Sequence, residues 1–334
     1  MDESEEEKIV ETAAEAEERV EGETIEEAAG ELTPEEAEAK MKENFEKAGK
    51  IASEVVSASK KLIMVGESVL DIAESIEKMI EDTGAKPAFP ANVCINDTAA
   101  HFTPPYDCPV LIGEANIVKI DIGVHVDGCI GDTAYTVDLG GENGKLVEAS
   151  ENALNAAIGT MKAGVSVGRV GEVIEGEITK LGLKPIENLT GHLIRPYNLH
   201  AGVEIPNVKM EGGYELVEGD VFGVEPFATT GEGRVRDAQQ IEIFSLETPK
   251  NVRMRQSRKV LGHVIERYFT LPFAERWLHK DFPSDILLKT ALKELVNAEV
   301  FRPYPVLKEV GKGLISQHEH TVVVEKDGVK VLTK

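Results

Sequence analysis

VKIDIGVHVDGCIGDTAYTVDL, residues Val118 to Leu139, reads as two β-strands joined by a Gly-rich turn. Ile120, Ile122, Val124 and Val126 alternate with Asp121, Gly123, His125 and Asp127, the period-two pattern of a half-buried strand. The turn is expected at Asp127–Gly131, after which Asp132 opens a second apolar strand, Thr133 to Leu139. Asp is depleted in strands and costly to bury unpaired. A single such Asp is ordinarily a surface carboxylate or a turn residue. A hairpin that holds Asp121 near Asp132 has a second reading, a cation shared by both.

Outward from the hairpin, the composition is that of a globular protein. With 334 residues, 42% hydrophobic and 29% charged, the chain can bury a sizeable core. No apolar run approaches the roughly eighteen residues of a membrane span, and no signal-peptide core is present, so a cytoplasmic protein with no membrane contact is expected. Cys94, Cys108 and Cys129 show no CxxC spacing, which argues against a disulfide scaffold or a zinc knuckle. Spacing alone leaves a Cys94–Cys108 bridge open, although reduced thiols are the cytosolic default.

The charge of −24 is uneven. Residues 1–40 hold 17 acidic and 3 basic residues, so more than half of the net charge sits in a short N-terminal stretch. Blocks such as Glu5-Glu6-Glu7 make residues 1–32 a solvated, disordered acidic arm, or a docking arm for a basic partner. Either way the arm disfavours nucleic acid.

Order is expected from Thr33, where Thr33-Pro34-Glu35-Glu36 has the hydroxyl, proline and acids of a helix start. Phe45, Ala48, Ile51, Ala52, Val55 and Val56 carry that helix to about Leu62. A second helix spans Ser68 to Asp82, ended by Gly84; Lys86 to Pro90 is a stiff linker, and Asn92–Ile95 a strand. Two further helices, about Leu146–Lys162 and Val167–Leu181, each carry one apolar stripe suited to covering a sheet. Residues 252–305 change texture, with consecutive helical patterns and then an extended segment from Val300. Gly313–Val324 reads as one strand, with Gln317 and Glu319 on one face and His318 and His320 on the other.

Three further residues join the two aspartates. Glu225 ends the apolar strand Val221–Val224, and Glu319 lies within another. His192 and His200 stand eight apart, each near a glycine. Taken alone, each histidine, like His101 before the proline pair, is ordinarily structural or exposed. Together, Asp121, Asp132, His192, Glu225 and Glu319 make four carboxylates and one imidazole with no thiolate, a set suited to Mn, Fe, Co or Zn. Two cations a few ångströms apart need about that many anionic ligands.

The segments KPAFPANVCINDTAAHFTP, VKIDIGVHVDGCIGDTAYTVDL, NLTGHLIRPYNLHAG, GDVFGVEPFATTGEG, TLPFAERWL, YPVLKEV and SQHEHTVVVEK follow one another across residues 42–334. In order and spacing the chain resembles type 2 methionine aminopeptidases of the archaeal kind, within the creatinase/prolidase superfamily. The resemblance implies an α/β pita-bread fold over residues 33–334: a curved antiparallel sheet with outer helices and two pseudo-twofold halves, about 42–150 and 151–334. It also implies that residues 248–306 form the helical insertion subdomain of the type 2 enzymes.

By the same resemblance two divalent ions (Co, Mn, Fe or Zn) are expected on Asp121, Asp132, His192, Glu225 and Glu319, with Asp132 and Glu319 bridging. Glu225 is the expected proton shuttle. His200 is expected on the carbonyl oxygen and His101 on the substrate backbone, while Phe89, Leu199 and Tyr304 line the methionine pocket. The implied substrates are N-terminal Met peptides and nascent chains with a small second residue. The ribosome is an implied partner, with no specific nucleic acid, and the implied state is a monomer. Two alternatives stay open, an X-Pro exopeptidase of the same fold and a non-catalytic pita-bread protein for nucleic-acid or chromatin partners. The chain departs from the pattern at QHEHT, where relatives place an aromatic before the Glu, and in the acidic arm, for which Met41 is an alternative start.

Overall fold

The computed structural model describes residues 33–334, and the acidic arm of residues 1–32 lies outside them. Thr33 caps helix α1 (Pro34–Ser59) as expected: its hydroxyl accepts the Glu36 N–H, and the Glu36 carboxylate accepts the Thr33 N–H at 2.8 Å. The Ser68 hydroxyl likewise caps helix α2 (Val69–Glu81). The apolar faces of both helices, including Ile51, Val55, Ile72 and Ile76, bury against Val118, Ile120, Ile122 and Val124 of the hairpin.

Strands β1 (Lys86–Pro87), β2 (Asn92–Ile95) and β3 (Thr98–Ala100) precede the hairpin itself, β4 (Ile117–Val126) and β5 (Cys129–Asp138). Lys86 and Pro87, expected as part of a stiff linker, thus lie in the sheet, against His125 and Val124. The hairpin turn is also tighter than expected. Only Asp127 and Gly128 form it, with φ of 46° and 80°, a left-handed pair that follows the right-handed twist of the strands. Gly131, which reads as a turn glycine, sits inside β5 because a Cβ there would lie 2.8 Å from the backbone of Ala48 and Gly49 in α1. Asp132 is therefore a mid-strand residue opposite Gly123, and Asp121 stands opposite Ala134.

Helices α3 (Gly144–Thr160) and α4 (Val167–Lys180) share a core with Phe222, Val224 and Val322. Short strands β6 (Lys184–Pro185), β7 (Thr190–Ile194), β8 (Glu204–Pro206), β9 (Val221–Val224) and β10 (Phe227–Thr229) lead to the long β11 (Val235–Leu246). Helix α5 (Arg255–Arg267), strand β12 (Phe273–Ala274), helices α6 (Glu275–Leu278) and α7 (Asp285–Asn297), and strand β13 (Phe301–Glu309) follow. Val260, Val264, Leu288 and Leu292 bury there with Phe244, Phe273 and Phe301, so these helices own a core separate from the hairpin's.

The chain closes with β14 (Ile315–Gln317), β15 (Glu319–Val324) and β16 (Val329–Val331). The single strand expected over Gly313–Val324 is in fact two, divided at His318. Gln317 pairs with Phe227 in the small sheet β14-β10-β6, whereas Glu319 pairs with Ala134 and His320 with Val224 in the main sheet. The His318 ring turns away to the Ser150 hydroxyl, 2.8 Å from its Nδ1. The main sheet runs β1-β4-β5-β15-β9-β7-β8, with β2 beside β4 and β16 beside β15, and a third sheet runs β12-β11-β13-β3. All pairings are antiparallel. Cys94, Cys108 and Cys129 are all free thiols, so no Cys94–Cys108 bridge forms.

Candidate active site

Sheet register brings the odd carboxylates together. Asp121, Ala134 and Glu319 occupy one cross-strand row over β4, β5 and β15, so Asp121 and Glu319 flank the small Ala134. One step along, Gly123 pairs with Asp132, Thr321 with Gly223, and Gly223 with His192. The Thr321 hydroxyl completes this second row. It accepts the Asp132 N–H at 2.7 Å and donates to the Asp132 carbonyl at 2.8 Å, where the backbone ladder between β5 and β15 stops. Glu225 follows β9 directly and turns in under the same face. His192 Nε2 lies 3.6 Å from Asp132 Oδ2 and 3.6 Å from Glu225 Oε1, and one donor atom each from Asp132, His192 and Glu319 lie within 4.8 Å of one another.

Electrostatics disfavours ionising this cluster without a countercharge. Burial pushes Asp121 up to about 7, and burial with mutual repulsion pushes Asp132, Glu225 and Glu319 well above their ordinary values. Asp121 Oδ1, Asp132 Oδ1 and Glu319 Oε1 are buried without a hydrogen-bond partner. Burial lowers His192 to about 4, so its ring is neutral, with Nε2 facing the carboxylates. A Cβ on Gly223 would sit 2.8 Å from Glu319 Oε1 and 3.0 Å from the His192 ring, so only a glycine keeps that space open. Orphaned buried oxygens, a neutral imidazole and an open cradle fit hard or borderline divalent cations. Among the described residues a second acidic–histidine group, Glu275, His279 and Asp285, has Lys289 Nζ 3.0 Å from Asp285 Oδ1, so an ammonium already supplies its positive charge.

The remaining expected residues border the cluster. His200 stacks obliquely on His192 with ring centroids 4.5 Å apart. Burial above all, with His192, His101 and Arg302 close enough to disfavour a further proton, holds it neutral, down to about 2. His101 follows β3 with φ 63°, and its Nδ1 lies 3.1 Å from the Pro305 carbonyl. A carbonyl only accepts, so Nδ1 carries the proton, and burial keeps the ring neutral with Nε2 as a free acceptor. Phe89 and Leu199 share one apolar cluster with Ile194 and Val221. Tyr304 stands apart from that cluster, edge-on to His101 at 5.4 Å with its hydroxyl on Ser245.

Several residues that shape the site carry little sequence signal. Gln317 Nε2 donates to Glu225 Oε2 at 3.2 Å, leaving Oε1 for His192. The Thr133 hydroxyl donates to the Glu319 carbonyl and that of Thr136 to the Gln317 carbonyl, tying β5 to both halves of the divided strand. Gly123 leaves room for Phe89, whose ring atoms lie 2.3 Å from where its Cβ would be.

The profile of metallopeptidase family M24 matches residues 43–326. The chain belongs to this family. The methionine aminopeptidase of Archaeoglobus fulgidus is 47% identical over 294 residues, covering 88% of this chain and 99% of that protein. Solved structures share the M24 fold at low identity. A thermophilic Arx1 superposes with a TM-score of 0.77 at 20% identity, covering 88% of this chain and 90% of that one. The methionine aminopeptidase of Thermotoga maritima superposes at 0.65 and 22%, covering 91% and 98%. The curved antiparallel sheets and outer helices are thus those of the M24 pita-bread fold. Among the described residues no helix is long and apolar enough to cross a membrane.

Proposed function

We propose that this M24 chain is a methionine aminopeptidase of the type 2 kind, removing initiator methionine from nascent chains in the cytoplasm with a small residue next in line. The observation that carries this reading is the buried, unneutralised cluster Asp121, Asp132, His192, Glu225 and Glu319 on the face of the central sheet. The separate core of α5 and α7 supports the type 2 assignment, and so does the archaeal relative above. In this reading those five side chains hold two divalent cations. Bound cations supply Lewis acidity for the scissile carbonyl and lower the pKa of a water nucleophile.

The protein's own groups do the rest. Glu225 is held by Gln317 at one oxygen and presents the other to the cluster, so it is placed to take and return a proton. Neutral His200 donates its one N–H to the carbonyl oxygen without adding charge. His101, with Nδ1–H committed to Pro305, accepts a substrate backbone N–H at Nε2. Phe89 and Leu199 form the apolar wall for the methionine side chain, where an aromatic ring suits a thioether. Tyr304 closes the side of His101.

The test is methionine release from Met-Ala-Ser by metal-stripped protein supplied in turn with Mn, Co, Fe or Zn, with Glu319→Ala in parallel. Release that depends on the cation and disappears in the variant is expected. Folded protein that releases nothing with any of the four cations overturns the reading.

A further inference from the structure

We propose that Arg302 forms a subsite for negative charge on the peptide downstream of the scissile bond. The inference rests on the aminopeptidase reading above. Arg302 and Tyr304 are two apart on β13 and lean to the same side. The guanidinium carbon lies 5.5 Å from the Tyr304 ring centroid, and that ring lies 5.4 Å from the His101 ring. The guanidinium is therefore within about 11 Å of the residue that holds the substrate backbone. An extended peptide advances about 3.3–3.6 Å per residue, so about three residues span that distance.

Arg302 is exposed and, among the described residues, makes no ion pair. It borders a cavity of about 440 Å³ together with Glu247, Lys250 and Glu299. Lys250 and Glu299 pair with each other at 3.4 Å. Arg302 thus stands beside the Tyr304 ring as an exposed guanidinium, a group suited to a bidentate carboxylate. Its charge also acts on both His101 and His200, which sets it within electrostatic reach of the reacting carbonyl.

The experiment compares kcat/KM of the Mn-loaded enzyme for Met-Ala-Glu-Ala-amide and Met-Ala-Lys-Ala-amide, in wild type and in Arg302→Glu. Wild type is expected to favour the Glu peptide about fivefold at low salt, mostly through KM, with the preference shrinking in 0.5 M salt on the scale of an exposed pair. Arg302→Glu is expected to invert the order, a change that partial misfolding cannot produce. A wild-type ratio near one, or the same ratio in both proteins, overturns the assignment of Arg302 while leaving the aminopeptidase reading intact. Failure of wild type to release methionine from either peptide overturns both.

Discussion

Glu77 and Arg276, one on α2 and the other on α6, meet as a buried two-pronged pair, Nη1 3.0 Å from Oε2 and Nη2 2.5 Å from Oε1. The same carboxylate accepts the Trp277 indole N–H at 2.9 Å and the Ala91 N–H at 3.1 Å, and Arg276 also reaches the Thr103 hydroxyl. One ion pair thus fastens the α5–α7 unit to the hairpin half, two residues from His101. Glu77→Ala leaves a buried guanidinium without its anion and is expected to cost about 3–5 kcal/mol. Urea denaturation measures the loss, and limited proteolysis should show earlier cleavage within residues 248–306.

Gly223→Ala places a methyl 2.8 Å from Glu319 Oε1 and 3.0 Å from the His192 ring. Both side chains must move, while β9 keeps its pairing. We expect cation affinity and turnover to fall by about 10–100-fold, as when ligand orientation is lost. Titration calorimetry with Mn and methionine release report the two quantities separately.

Gly123→Ala acts on the neighbouring pocket, since its Cβ would lie 2.3 Å from the Phe89 ring. The ring is expelled from the wall shared with Leu199, at an overpacking cost of about 1–3 kcal/mol. KM for Met-Ala-Ser should rise by more than kcat falls. Steady-state kinetics on the cation-loaded variant decide it.

His125 supplies a pH signature remote from the cluster. Burial holds it near 4, and its Nδ1 accepts the Gly128 N–H that closes the hairpin turn. Its folded value lies below the unfolded value near 6.5, so the stability it lends is complete above about pH 6.5 and is lost as pH falls towards 4. His125→Asn should therefore lose about 2 kcal/mol less than wild type between pH 7 and pH 4 in urea denaturation.

Cation removal should reveal the carboxylates. Their folded values are raised, with Asp121 at about 7, so in stripped protein the stability tied to their protons is present at low pH and lost as pH rises through 7. Stripped protein should melt lower at pH 8 than at pH 5.5, and added Mn should restore it most at pH 8. Calorimetry in two buffers of different ionisation enthalpy should show protons released on binding, about one or more per cation near neutral pH.

The hairpin and the acids of the candidate cluster are legible in the sequence because each breaks a local rule: an acid inside a β-branched run demands a countercharge. Helix starts are legible too, as Thr33 and Ser68 show, because a cap is a short-range event. The turn at Asp127–Gly128 and the division at His318 are not, since Gly131 is a glycine for the sake of α1 and the break answers to two different sheets. Gly223, Thr321 and Gln317 are ordinary residues in ordinary runs. Their roles exist only across strands, where register sets the neighbour.

β15 lies between β5 and β9 in the middle of the main sheet, although it follows Asp132 by nearly the whole remaining chain. A chain that stops short of residue 319 lacks the two register pairs of β15 with β5 and the four with β9, so its two half-sheets have no joint between them. Synthesis must pass residue 319 before Glu319 can join Asp121 and Asp132, so the fold itself withholds the assembled cluster from shorter, unfinished copies.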